Sequence, residues 1–188
     1  SSTKPVSPVA ADHRTGEILD RELRPTPKTD PAQVSSVIGE VVEALITRHG
    51  VPRGIGVGVP GLVDRAGVLR YGPNVQGVLG LDMVTVLGDR FDVPVVAIND
   101  ADNAALAEHR WGAARGADHA IVITQGTGIG GALIIDGSLM RGANGFAGEP
   151  GHMLVDRGGH RCACGQVGCW ESVSSGAGLV NLTKDLVA

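Results

Sequence analysis

An α/β fold is what this 188-residue sequence predicts, and three observations predict it. Short runs of β-branched and aliphatic residues alternate with longer segments of helical spacing. Twenty-nine glycines stand against two Trp, two Phe and one Tyr, which suits tight turns and close approach to ligands rather than a helical bundle. A hydrophobic content of 43% over this length can bury the core of one large or two small domains.

The elements follow in order along the chain. The opening Ser1-Ser-Thr3-Lys4-Pro-Val-Ser-Pro8 puts two prolines ahead of Val9-Ala-Ala11 and Ile18-Leu19, so a hairpin about Thr15 and Gly16 is expected to give at most an edge strand. From Pro31, the apolar positions Val34, Val37, Ile38, Val41, Val42, Leu45 and Ile46 keep helical spacing, with Asp30 as N-cap, Pro31 at the first helical position and Gly50 as the stop. Gly54-Ile-Gly-Val-Gly-Val59 reads as a buried strand opening into the turn Pro60-Gly61. A second helix is expected from about Leu81 to Phe91, then the strand Val95-Val-Ala-Ile98 and a third helix from about Ala101 to Trp111.

Alternating strands and helices imply parallel βαβ units, in which ligands bind beyond the carboxyl ends of the strands. That rule gathers Pro60-Gly61, Asn99-Asp100 and the segment after Ile121-Val-Ile-Thr124 around one cleft. The last of these is Gln125-Gly126-Thr127-Gly128-Ile-Gly130-Gly131, whose backbone N–H groups and Thr127 hydroxyl form a cradle suited to phosphate oxygens. A plain β-hairpin turn reads equally well from the glycines alone.

All three cysteines fall in Cys162-Ala-Cys164-Gly-Gln-Val-Gly-Cys169-Trp-Glu171, ten residues after His152. Three thiols and an imidazole make a four-ligand tetrahedral set for a structural Zn²⁺, with Gly158, Gly159, Gly165 and Gly168 allowing the tight turns. The odd cysteine count, with no signal peptide and no apolar run long enough to span a bilayer, argues for a reducing, cytoplasmic setting. There clustered cysteines bind metal more often than they cross-link. His160 competes with His152 as ligand but lies only two residues from Cys162, whereas His152 has the looser tether; His160 reads as a solvated loop residue. The net charge of −4 gives no footprint for nucleic acid.

Taken in order, Gly58-Val-Pro-Gly61, Pro73-Asn74, Asn99-Asp-Ala-Asp-Asn103, Gly126-Thr-Gly-Ile-Gly-Gly131, Glu149-Pro-Gly-His152 and the Cys162 to Glu171 segment resemble the ROK family of sugar kinases, open reading frames and repressors. The resemblance runs from about Val51 onward. It implies an actin-like ATPase (ribonuclease H-like) fold of two α/β domains, residues 1–112 and the first part of a second domain at 113–188, with a sugar and ATP between them. It also implies that Asp100 is the general base that takes a sugar hydroxyl proton during attack on the γ-phosphate. Gly61, Asn74, Asn99, Glu149, His152 and Glu171 would line the hexose pocket, and Thr3, Lys4, Gly126, Thr127, Gly128, Gly130 and Gly131 would serve ATP and Mg²⁺. His152 would have two tasks, one ring nitrogen on zinc and the other on the sugar. Residue by residue, Asp100 also fits a helix N-cap, Glu171 a surface acid at a helix start and Asn74 turn chemistry.

The chain departs from the family at two places. Family kinases carry Asp-x-Gly-Gly-Thr-Lys where this chain has Ser1-Ser-Thr3-Lys4, and their asparagine two residues after the catalytic aspartate is Asp102 here, an added negative charge near the phosphate path. The expectation is a partial ROK protein that binds a hexose more readily than it phosphorylates one. Two classes of function stand: a glucokinase-type sugar kinase, glucose being the first choice of substrate, and the sugar-sensing domain of a transcriptional regulator, which would meet DNA only through an upstream helix-turn-helix. A zinc-stabilised remnant without activity is a third. The family resemblance also implies a homodimer.

Overall fold

The computed structural model describes residues 6–25, 27, 30–72 and 78–187. The chain forms two compact units, Ser1–Asp100 and Ala101–Ala188.

In the first unit, β1 (Val9–Ala11) and β2 (Ile18–Arg21) pair antiparallel, Val9 opposite Arg21 and Ala10 opposite Asp20. They form a two-stranded sheet of their own, so each is an edge strand. Asp12 shapes the turn, its Oδ1 accepting from the amides of Arg14 at 2.7 Å and Thr15 at 3.2 Å. Pro8 does not end the pairing, because proline lacks only the donor: its carbonyl accepts from the Glu22 amide at 3.1 Å.

Helix α1 (Pro31–His49) has the anticipated ends, with Asp30 Oδ1 accepting from the Ala32 amide at 2.9 Å and Gly50 donating to the Ile46 carbonyl at 2.7 Å. Its buried stripe is Val34, Val41, Val42 and Leu45. Strand β3 (Ile55–Val59) leads into a short antiparallel pair, β4 (Leu62–Val63) and β5 (Leu69–Tyr71). Helix α2 (Met83–Phe91) starts two residues after Leu81 because Asp82 caps it, accepting from the Thr85 amide at 3.0 Å and the Thr85 hydroxyl at 2.7 Å. Strand β6 (Val95–Asn99) then pairs parallel with β3, Ile55 opposite Val95 and Val59 opposite Asn99. One core cluster joins Met83, Leu87 and Ala97 to Ile55, Val57 and Val95; a second joins Val34, Val63, Leu69 and Val78 to Ile38 and Val59.

Helix α3 (Asp100–Trp111) begins on the last residue of the first unit and buries Ala101, Asp102 and Ala105. The sheet of the second unit is antiparallel: β7 (Ala120–Gln125), β8 (Ile129–Ile135) and β9 (Ser138–Leu139), in that order. A parallel arrangement is impossible there, since the link Gly126–Gly128 is far too short for a crossover. A 3-10 turn (Pro150–His152), α4 (Trp170–Ser174) and α5 (Gly176–Leu186) complete the unit. Among the described residues no helix is long and apolar enough to cross a membrane.

The hairpin is tied to the end of α1 through Asp20, whose Oδ2 accepts from Arg48 Nε at 2.7 Å and lies 2.9 Å from His49 Nε2. Those hydrogen bonds, from His49 first and then Arg48, hold the Asp20 carboxyl down at about 2. A lowered carboxyl stabilises the fold fully above its unfolded value of about 3.9, and the contribution is lost as pH falls through its folded value. Protection of the β2 amides, taken relative to their intrinsic exchange rate at each pH, is therefore expected to fall between about pH 4 and pH 2, and Asp20→Asn should show the lower protection already at neutral pH. A flat pH response in the native chain would contradict the tie.

Gly61 follows β3 with φ 123°, and a Cβ there would meet the Tyr71 carbonyl oxygen and the Gly72 Cα. Gly61→Ala is expected to destabilise the chain by about 2 kcal/mol or more, through backbone strain and the clash together. Urea unfolding measures this, and a change within about 0.5 kcal/mol would show that the turn relaxes freely.

Candidate metal centre and ligand-facing loops

In the first unit the parallel register of β3 and β6 brings their carboxyl ends side by side, Val59 against Asn99. Asn99 Nδ2 donates to the Gly61 carbonyl at 2.9 Å, which fixes both the amide plane and the turn. Asp100 is the next residue and the first of α3. Gly61, Asn99 and Asp100 are thus gathered at one strand end. Thr3, Lys4 and Asn74 lie outside the described residues.

In the second unit the Gly-rich segment is a hairpin, with Gln125 opposite Ile129 and Gly126, Thr127 and Gly128 forming its turn. Gly130 and Gly131 are not in the turn: they sit in β8 opposite Thr124 and Ile123. Their missing side chains serve packing, since a Cβ on Gly131 would press into Pro150 and the Val122 carbonyl. The turn carbonyls are engaged, Gly126 accepting from the Gly176 amide at 2.8 Å and Thr127 from the Ala177 amide at 3.1 Å.

The four proposed metal ligands converge. His152 closes the 3-10 turn, whose Gly151 packs against the Ile129 carbonyl. The cysteine loop folds back as a knuckle: the Cys162 amide donates to Gln166 at 2.8 Å, Gly165 to Cys162 at 3.0 Å and Gly168 to His160 at 2.9 Å. Gly165 and Gly168 take positive φ, as the tight turns require, while Gly158 and Gly159 do not. One donor atom from each of His152, Cys162, Cys164 and Cys169 lies within 4.8 Å of all the others. Cys162 Sγ is 3.6 Å from His152 Nδ1, and Cys164 Sγ is 3.6 Å from Cys169 Sγ.

Bonds of about 2.3 Å to sulfur and about 2.0 Å to nitrogen set the ligand atoms of a tetrahedral zinc about 3.6–3.8 Å apart, so the donor set fits that ion. A disulfide would need about 2.0 Å between sulfurs. His160 stands outside the group, 2.8 Å from Asp185. Burial pushes the Cys162 and Cys169 thiols up. Burial acts the same way on Cys164, but the Gln166 amide and hydrogen bonds from Cys162 and Cys169 bring it below the usual thiol value.

Glu149 and Glu171 flank His152. Its Nε2 lies 3.8 Å from Glu149 Oε2, and its Nδ1 lies 3.6 Å from Glu171 Oε1. The imidazole therefore turns Nδ1 toward the sulfurs and Nε2 away from them. Glu171 has work that the sequence did not reveal: Oε1 accepts from the Cys162 thiol at 3.0 Å, and Oε2 accepts from the Ile129 amide at 3.3 Å. It is less than a quarter exposed rather than a surface acid, at 21%.

A second feature absent from the sequence reading is the ion pair of Asp102 with Arg141, 3.9 Å apart, with the Asp102 side chain only 3% exposed. The signal was available. Asp102 shares the inner stripe of α3 with Ala101 and Ala105, and a carboxylate on such a stripe requires a cation or donors inside. Its charge is met by Arg141 within the second unit.

The family model described as the ROK family matches residues 8–186. The chain is 34% identical over 177 residues to a glucokinase of Halalkalibacterium halodurans, covering 90% of this chain and 53% of that protein. It is also 34% identical over 166 residues to a xylose repressor of Bacillus subtilis, covering 85% and 42%. Among solved structures, a ROK family glucokinase from Streptomyces griseus in complex with glucose and AMPPNP superposes with a TM-score of 0.78 at 35% identity, covering 94% of this chain and 56% of that one. The chain spans about half the length of the curated relatives it matches. Its α/β fold is the actin-like ATPase fold of the ROK sugar kinases. A family match over residues 8–186, joined to the convergence of the Glu149 to Glu171 segment, makes this chain a member of the ROK family.

Proposed function

We propose that this chain is the hexose-binding and phosphate-facing part of a ROK sugar kinase, with glucose as its substrate and Asp100 as the general base. The observation that carries the reading is the strand end at Asn99, where an amide fixed by the Gly61 carbonyl precedes a carboxylate at the start of a helix. A strand end is a rigid platform, and one carboxylate in line with a hydroxyl is what phosphoryl transfer asks of the protein. Asp100 takes the proton of the attacking sugar hydroxyl as its oxygen bonds to the γ-phosphorus and the bond to the β-phosphate oxygen breaks. Gly61, Asn74, Asn99, Glu149, His152 and Glu171 hold the other hydroxyls through convergent donors and acceptors. Thr3, Lys4 and the hairpin residues Gly126, Thr127 and Gly128 face the phosphates of ATP and its Mg²⁺, with Gly130 and Gly131 behind them. The Asp102 charge, compensated by Arg141, does not oppose that role.

His152, Cys162, Cys164 and Cys169 hold a structural Zn²⁺, which pins the loop between His152 and α4. Metal on Nδ1 leaves Nε2 of His152 to donate to a sugar oxygen beside Glu149.

A second reading, the sugar-sensing domain of a transcriptional regulator, is favoured by the resemblance to xylose repressors and by a ROK family transcriptional regulator structure, a homolog of the MLC protein, with a TM-score of 0.80 at 26% identity. A coupled phosphorylation assay on the intact gene product separates the two: a kinase turns over glucose with ATP, and a regulator binds sugar without turnover.

Two measurements test the assignments. Asp100→Asn in the intact gene product should leave glucose affinity within about twofold and lower turnover on the order of a hundredfold, because the base acts mainly on the transition state. Unchanged turnover would remove Asp100 from the role. Elemental analysis should find one zinc per chain. Because a thiol must lose its proton to ligate, zinc loading should displace protons, about two to three per ion, and affinity should weaken as pH falls. Zinc affinity independent of pH would contradict thiol ligation.

A further inference from the structure

Only one residue separates the proposed ligand Cys169, the N-cap of α4, from Glu171 in the first turn of that short helix. Both of its ends are packed tightly: Cys169 and Ser175 are fully buried, the Ser172 hydroxyl donates to the Cys169 carbonyl at 2.7 Å, and the Ser175 amide donates to the Glu171 carbonyl at 3.2 Å. Together with the start of α5 it grips the Gly-rich hairpin at four points. Glu171 Oε2 accepts from the Ile129 amide, the Ser174 carbonyl accepts from Gln125 Nε2 at 2.6 Å, and the amides of Gly176 and Ala177 donate to the carbonyls of Gly126 and Thr127.

The last two bonds have a geometric consequence. In a planar trans peptide the carbonyl of one residue and the amide of the next point in opposite directions. Drawing the Gly126 and Thr127 carbonyls toward the start of α5 therefore turns the Thr127 and Gly128 amides the other way, side by side, as an anion cradle needs. The cradle's direction is imposed from outside the hairpin, since glycines alone would let those peptide planes rotate.

We infer that α4 is a metal-dependent clamp: with Cys169 fixed in the metal group, Glu171, Ser174 and the α5 start hold the hairpin so that its amides face a phosphate. Glu171 and Gln125 are then positioning residues for the hairpin, and occupancy of the metal site governs the phosphate cradle as well as the sugar side. The consequence for phosphate rests on the kinase reading above; the clamp itself does not. Loss of the ion would free Cys169 and let α4 shift, and the four bonds to the hairpin would loosen together.

Backbone hydrogen exchange on the 188-residue chain tests this, comparing zinc-loaded protein, chelator-stripped protein, and zinc-loaded Glu171→Ala and Gln125→Ala. The bonded amides of Gly126, Ile129, Gly176 and Ala177 should exchange about tenfold or more faster in the stripped protein, and faster in both variants while zinc stoichiometry stays at one per chain. The mid-strand amides of Val122 and Ala132, which pair with one another, should not change. The clamp is overturned if stripping loosens only residues 160–168, if acceleration spreads equally over β7 and β8, or if Gln125→Ala and Glu171→Ala both exchange like the native chain. Glu171→Ala failing to fold leaves Gln125→Ala, which touches neither metal nor sugar, to decide. Inorganic triphosphate, titrated in parallel, should bind on the order of tenfold more weakly after stripping. No triphosphate binding in either state, with the exchange result intact, refutes the phosphate reading and leaves the clamp standing.

Discussion

Three sulfurs and one imidazole nitrogen held within 4.8 Å of one another are the constraint on which the second unit depends. Between His152 and α4 the chain has no regular helix or strand, only isolated bridges such as Leu154 with Cys169 and Arg161 with Val167. Met153, Leu154 and Val155 are exposed, so hydrophobic burial does not hold this segment down. A structural ion that ties both ends of such a loop replaces the core it lacks, and in small zinc sites the gain is on the order of 10 kcal/mol. The same loop leads into α4, so whatever fixes the cysteines also fixes Glu171 and the hairpin it supports.

The first unit solves its problem differently. Aliphatic side chains of α1, α2, β3 and β6 supply an ordinary core, and parallel pairing aligns the strand ends. That alignment is what makes Gly61 and Asn99 neighbours. A residue that must point a carboxylate at a substrate gains from this arrangement, because its position is set by a sheet and a helix together rather than by a loop.

Much of this was legible in the sequence, and the reasons are local. Asp30, Pro31 and Gly50 announce α1 through capping chemistry confined to a few residues, and they frame the helix seen. Cys162, Cys164 and Cys169 lie so near each other in sequence that few folds could keep them apart, and the group they form with His152 followed from spacing. What escaped were contacts that depend on distant chain segments. Glu171 reaches Ile129 across forty-two positions, and Arg141 reaches Asp102 from another loop, neither of which a spacing rule contains. The strands β4, β5 and β9 are too short to impose an alternating pattern. Gly130 and Gly131 looked like cradle residues because glycine marks both turns and close packing, and only the register with Ile123 and Thr124 separates the two.

In the proposed function, the metal group orients His152 toward a sugar. Calorimetric titration of glucose into the chain before and after removal of zinc tests it most directly. The account predicts saturable binding to the loaded chain and a loss of about tenfold or more in affinity on stripping, with recovery when zinc is returned. Equal affinity in the two states would show that His152 and Glu149 find their geometry without the ion, and would contradict it.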